Sequence, residues 1–80
     1  MDNVFHYEIT ENVAVLAQSG GTSFELNFVS YNGKPARLDL RRWQTEGTEK
    51  RMLKGVTMSD AEAEALRVAL NELAEGGKLQ

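Results

Sequence analysis

Asn32-Gly33, set between two alternating runs and followed at once by Pro35, constrains this chain more than any other feature. Both turn residues accept φ > 0, so the pair fits a type I′ turn, whose twist suits two antiparallel strands. Pro35 is tolerable at the first position of a strand but not within a central ladder. The flanking runs must therefore fold back on each other. Thr22 to Tyr31 places Phe24, Leu26 and Phe28 on one face and Glu25, Asn27, Val29 and Tyr31 on the other; in Ala36 to Trp43, Leu38 and Leu40 alternate with polar neighbours.

Towards the amino terminus, Val4 to Ile9 reads as a strand with Phe5, Tyr7 and Ile9 on one side, and Val13 to Gln18 as another. Glu11-Asn12 would join these two as a hairpin, and Ser19-Gly20-Gly21 supplies the positive-φ freedom for the next turn. Strands over 4–9, 13–18, 22–31 and 36–43 then make an antiparallel meander that must hide its apolar face. Its cover is a helix over 59–75. Ser59-Asp60-Ala61-Glu62 is a capping box, Ala63, Leu66, Leu70 and Leu73 recur at helical spacing, and Gly76-Gly77 stops the run. Gln44 to Met52 reads as a flexible loop and 76–80 as a loose tail. The expected fold is α+β, a single ββββα domain over 1–80.

Eighty residues bury only a modest core, so self-association would help the chain. Having no cysteine removes disulfides, thiolate nucleophiles and cysteine-based zinc sites, and is compatible with a reducing cytoplasm. No run is long and apolar enough to suggest a membrane span, and Asp2 does not suit a signal sequence. His6 is the only histidine and lacks any HExxH context, and no phosphate-binding G-x-x-x-x-G-K-[ST] order occurs. The glutamates of the helix read as a solvated face. The expectation is a protein that is not an enzyme and carries no metal or cofactor.

A formal net charge of −3 argues against a polyanion partner until its distribution is read. Residues 34–54 hold seven basic side chains against Asp39, Glu46 and Glu49, while the flanking segments are acidic. The usable positive potential is thus confined to one stretch. On a regular strand Arg37, Asp39, Arg41 and Trp43 project together. Two guanidinium groups beside an indole suit a phosphate backbone with unpaired bases, and Lys50, Arg51 and Lys54 follow close behind. Lys34 lies at the rim. Spacing alone leaves Trp43 open between a stacking platform and a cap folded over the core edge; Asp39 reads as an orienting group for Arg37, Arg41 or a turn amide.

Asp39-Leu40-Arg41-Arg42-Trp43, a connection of about ten residues, then Lys54-Gly55-Val56-Thr57-Met58-Ser59 and an acidic helix start resembles the positive cofactor four family of single-stranded DNA-binding transcriptional coactivators. The preceding Glu25-Leu26-Asn27 and Val29-Ser30-Tyr31-Asn32 resemble its bacterial YdbC-type branch. The resemblance favours stacking on Trp43. Many members carry an aromatic pair here, whereas Gln44 follows Trp43 in this chain, so the second platform is either missing or supplied by Phe28 or Tyr31. It further implies low-specificity binding of single-stranded DNA or RNA by Arg37, Arg41, Lys50, Arg51 and Lys54, and a homodimer through Leu66, Ala69, Leu70 and Leu73. A cytoplasmic, nucleoid-associated role in transcription, replication or repair follows, with proteins of those processes as further partners. The alternative from the same residues is a protein-interaction module whose basic and aromatic sheet face binds an acidic peptide.

Overall fold

The computed structural model describes residues 6–79, so Val4 and Phe5 of the first expected strand, and Gln80 of the tail, lie outside the described residues. Four strands and one helix follow in chain order: β1 Tyr7–Ser19, β2 Thr22–Tyr31, β3 Arg37–Glu46, β4 Glu49–Met58 and α1 Asp60–Glu75. They form one antiparallel sheet in the order β1-β2-β3-β4. The expected ββββα architecture holds, but two of the strands are not where alternation placed them.

The two strands read at 4–9 and 13–18 are one element, β1, and Glu11-Asn12 is not a turn. Pairing with β2 slips between Ile9 and Glu11, between Asn12 and Ala14, and between Val15 and Ala17, leaving Thr10, Val13 and Leu16 as the extra residues of three bulges. Thirteen residues of β1 thereby lie against ten of β2. Each bulge adds bend and twist. It also replaces period two by period three: Asn12, Val15 and Gln18 are the residues opposite Asn27, Glu25 and Ser23.

The expected flexible loop at 44–52 is instead the end of β3, a two-residue turn and the start of β4. Gly47, at φ 62°, makes the turn between Glu46 and Glu49. Both strand ends are polar on both faces here, so no apolar stripe marks them. The turn read at Asn32-Gly33 is present, with φ of 52° and 77° and Lys34 N donating to Tyr31 O at 3.0 Å. Asn32 also braces β1, its Oδ1 accepting from His6 N and its own N donating to His6 O.

The bulged sheet curls. Tyr7, at the start of β1, reaches across to β4 and donates its hydroxyl to Lys50 O at 3.0 Å. The face enclosed by the curl carries Ser23, Glu25, Asn27 and Val29 from β2, with Asp39 and Trp43 from β3, all buried. The outer face carries Phe24, Leu26, Phe28, Leu38 and Leu40, each only half-buried.

Helix α1 begins as the sequence predicts. Glu62 N donates to Ser59 Oγ and Ser59 N to Glu62 Oε1, the reciprocal bonds of a capping box. It ends with Gly77 at φ 75°, Gly77 N bonded to Ala74 O and Lys78 N to Leu73 O, a Schellman closure. It does not, however, cover the sheet as expected. Ala63, Leu66 and Leu70 face Leu26, Leu38 and Met58 across an open cleft of about 440 Å³, and no residue of the helix is buried. At about 1.5 Å per residue α1 is about 24 Å long, and it lengthens a molecule measuring 51 × 31 × 18 Å.

Candidate nucleic-acid interface

Parity along β3 does place Arg37, Asp39, Arg41 and Trp43 on one face, but that face is the inside of the curl. Trp43 is therefore not the exposed platform expected for it. Its indole is wholly buried, tilted against Tyr7 at 5.6 Å between ring centres, with Lys50 Nζ 5.4 Å from its ring. Its Nε1 finds no acceptor among the described residues. Of the two alternatives open on spacing, the structure shows the enclosed indole.

Arg41 is also not available to phosphate in this arrangement. Its side chain is 12% exposed, and its Nε and Nη2 donate to the two oxygens of Asp39 at 2.7 and 2.8 Å. Nη1 donates to Leu53 O, and Nη2 lies 3.1 Å from the Tyr31 hydroxyl. Asp39 accepts further from Tyr31 and Thr57 at 2.8 and 2.9 Å. Burial pushes the Asp39 carboxyl up, but the bonds from Arg41, Tyr31 and Thr57 together outweigh it and hold the group below its ordinary value. Asp39 in turn raises Arg41, while burial is the main cause raising the Tyr31 phenol. Asp39 thus orients Arg41, one of the partners read for it.

A second polar knot surrounds Glu25. Ser23 Oγ, Asn27 Nδ2 and Lys50 Nζ donate to its carboxylate, and Asn12 from β1 bonds Asn27. Burial raises this carboxyl, yet the bonds from Ser23, Lys50 and Asn27 carry it below the ordinary range. Lys50 sits at the rim with its side chain 38% exposed, bridged to Glu25 at 3.0 Å. Sequence reasoning missed Glu25, Asn27 and Asn12 as a network, because the bulges hide Asn12's parity.

The remaining cations face water. Lys34, Arg37 and Lys54 are exposed and have no carboxylate within ion-pair distance among the described residues. Arg51 meets Glu46 only at 3.8 Å, with both side chains 60% exposed, a pair of little energetic weight. Arg42 leaves the enclosed face, as its parity requires, and lies over the Phe24 ring at 4.5 Å. Tyr31 is half-buried at the end of the inner face; Phe28 is half-buried on the outer one, so the two aromatic rings offered as second platforms do not share a surface.

Chemically this is a small α+β module whose uncompensated positive charge lies mainly along the β3–β4 hairpin and the turn leading into it, with no cluster of three metal-ligating groups among the described residues. Residues 19–69 match the family described as Transcriptional Coactivator p15 (PC4), and the chain belongs to that family of single-stranded DNA-binding coactivators. The match is to the family as a whole. A protein of Treponema pallidum (strain Nichols), described as uncharacterised, is 46% identical over 70 residues, which span 86% of this chain and 80% of that protein.

Proposed function

We propose that the protein binds single-stranded DNA, or RNA in the same form, with little sequence preference, as a symmetric dimer acting in the cytoplasm at the nucleoid. The observation that carries this reading is the sorting of the basic residues. Arg41 and Lys50 are engaged by Asp39 and Glu25, while Lys34, Arg37, Arg51 and Lys54 stand ready along β3, its leading turn and the β4 edge. By register Arg37, opposite Val29, projects to the inner face and Arg51, opposite Gln44, to the outer one, so these cations line the β3–β4 rim from both sides over about 23 Å at the usual strand rise. Exposed cations follow a flexible phosphate backbone, and the half-exposed Tyr31, with Phe28 on the outer face, provides π-surface for unpaired bases. Family membership supports the same reading. Transcription, replication and repair all supply such strands, and proteins of those processes would be its further partners.

Dimerisation is supported by the helix. Leu66, Leu70 and Leu73 are 39%, 45% and 39% exposed, Ala69 lies beside them, and the described residues cover them only in part. Pairing two helices through these residues removes that surface from water and sets two cationic rows about a twofold axis.

The test is anisotropy of a labelled strand of about 20 nucleotides against its duplex, across a salt series. Neutralising about four phosphates predicts a log–log slope of about −2.8, about a fiftyfold loss between 50 and 200 mM salt. Equal binding of duplex and single strand, or a flat salt response, sinks the reading; the flat response would point instead to an acidic peptide partner.

A further inference from the structure

Where β3 begins, the inner face ends in a pocket of about 400 Å³ walled by Tyr31, Lys34, Pro35, Arg37 and Thr57. We propose that this pocket takes the last nucleotide of a single strand and reads its terminal phosphate monoester; the inference rests on the single-strand reading above.

Position is the first argument. Val29 opposite Arg37 is the last rung between β2 and β3; β3 begins there, while β2 runs on to Tyr31 against β1. A strand lying along β3 reaches the end of that element here, so the pocket is a terminus of the row and not a way through. Its volume falls within the range of small-ligand sites, about 300 to 1,000 Å³.

Charge is the second. Lys34 and Arg37 are the two cations of the pocket, and neither has a carboxylate partner among the described residues, unlike Arg41, Lys50, Arg51 and Arg67. An internal phosphodiester carries one negative charge. A terminal monoester carries about −1.5 to −2 near neutrality and offers three oxygens, so it matches two adjacent cations better.

Preorganisation is the third. The Tyr31 hydroxyl is fixed between Asp39 Oδ2 and Arg41 Nη2, and Thr57 Oγ1 is spent on Asp39, so the phenol ring stands as a rigid wall. Tyr31 and Pro35 line the pocket beside the two cations, while the hydroxyls, already committed, leave phosphate recognition to Lys34 and Arg37. The buried Arg41–Asp39 pair thereby positions the pocket without touching the ligand.

The experiment compares three versions of one internally labelled 20-nucleotide strand: 5′-phosphate, 3′-phosphate, and both ends hydroxyl. One phosphorylated end is expected to bind about three- to tenfold tighter than the hydroxyl strand. That gain should vanish in Lys34→Ala and Arg37→Ala, both at exposed positions, while Lys54→Ala weakens all three strands alike. Equal affinity for the three strands, an equal gain at both ends, or a gain that survives both substitutions overturns the pocket and leaves single-strand binding standing. Failure of every strand to bind removes the single-strand reading, and this inference with it.

Discussion

On the outer face of the sheet Phe24, Leu26, Phe28, Leu38 and Leu40 stand half-covered beside a helix that buries none of its residues, while on the inner face Glu25, Asn27 and Asp39 are sealed from water. The apolar face is the open one and the charged face the closed one. Charges tolerate enclosure only when paired and fully hydrogen-bonded, and both carboxylates here accept three or more bonds. Apolar residues need no such precision, so their cover can come from a second molecule. The inner face fixes the shape of one chain; the outer face leaves room for a partner.

The sharpest way to break this contrast is to unpair the inner face. Asp39→Ala leaves Arg41 without its counter-charge and should cost about 3 to 5 kcal/mol in urea unfolding, enough to unfold much of a small domain. Leu70→Ala on the outer side should cost a single chain far less. Next comes Gly55→Ala. A Cβ there would stand 1.9 Å from Arg41 Cβ and 2.5 Å from Leu40 O, so β3 and β4 must part, at about 1 to 3 kcal/mol or more in the same assay.

Acid should separate the faces as well. Glu25 and Asp39 are held below their ordinary values of 4.5 and 3.8. As pH falls the unfolded chain therefore takes up these protons first, so the stability they contribute is complete above that range and is lost through and below it. Thermal melts should show this loss in the native protein and a flatter acid limb in Glu25→Gln. The gentlest intervention is Leu70→Asp, which should move light-scattering mass from dimer to monomer, with the strands still folded by circular dichroism. A dimer that survives it would place the interface elsewhere.

The same contrast explains what the sequence could disclose. Asn32-Gly33, the Ser59 capping box and the alternation of Phe24, Leu26 and Phe28 are local signals, and each produced the element it implied. β4, Glu49–Met58, was not read as a strand at all, because its polar start has no stripe. β1 was divided in two because Thr10, Val13 and Leu16 break the period that reveals a strand. The candidate site was legible as a stretch and not as a surface: Lys34, Arg37, Arg51 and Lys54 are accessible as read, but Arg41 was assigned outward by parity and Trp43 by the family resemblance, and both are enclosed. Parity tells which residues share a face. Whether that face is open depends on the curl, and hence on bulges encoded elsewhere in the chain.

Those bulges carry one more consequence, for how the protein keeps company with copies of itself in a crowded cell. β1 is an outer strand displaying Val13, Val15 and Leu16, a combination that ordinarily invites end-on stacking of sheets into fibrils. Growth of that kind needs an unbroken row of backbone donors and acceptors at regular intervals. With an irregularity every third residue, no incoming strand can stay in step for more than one or two rungs. The chain can thereby carry apolar residues on its edge strand without offering the regular ladder that fibril growth requires.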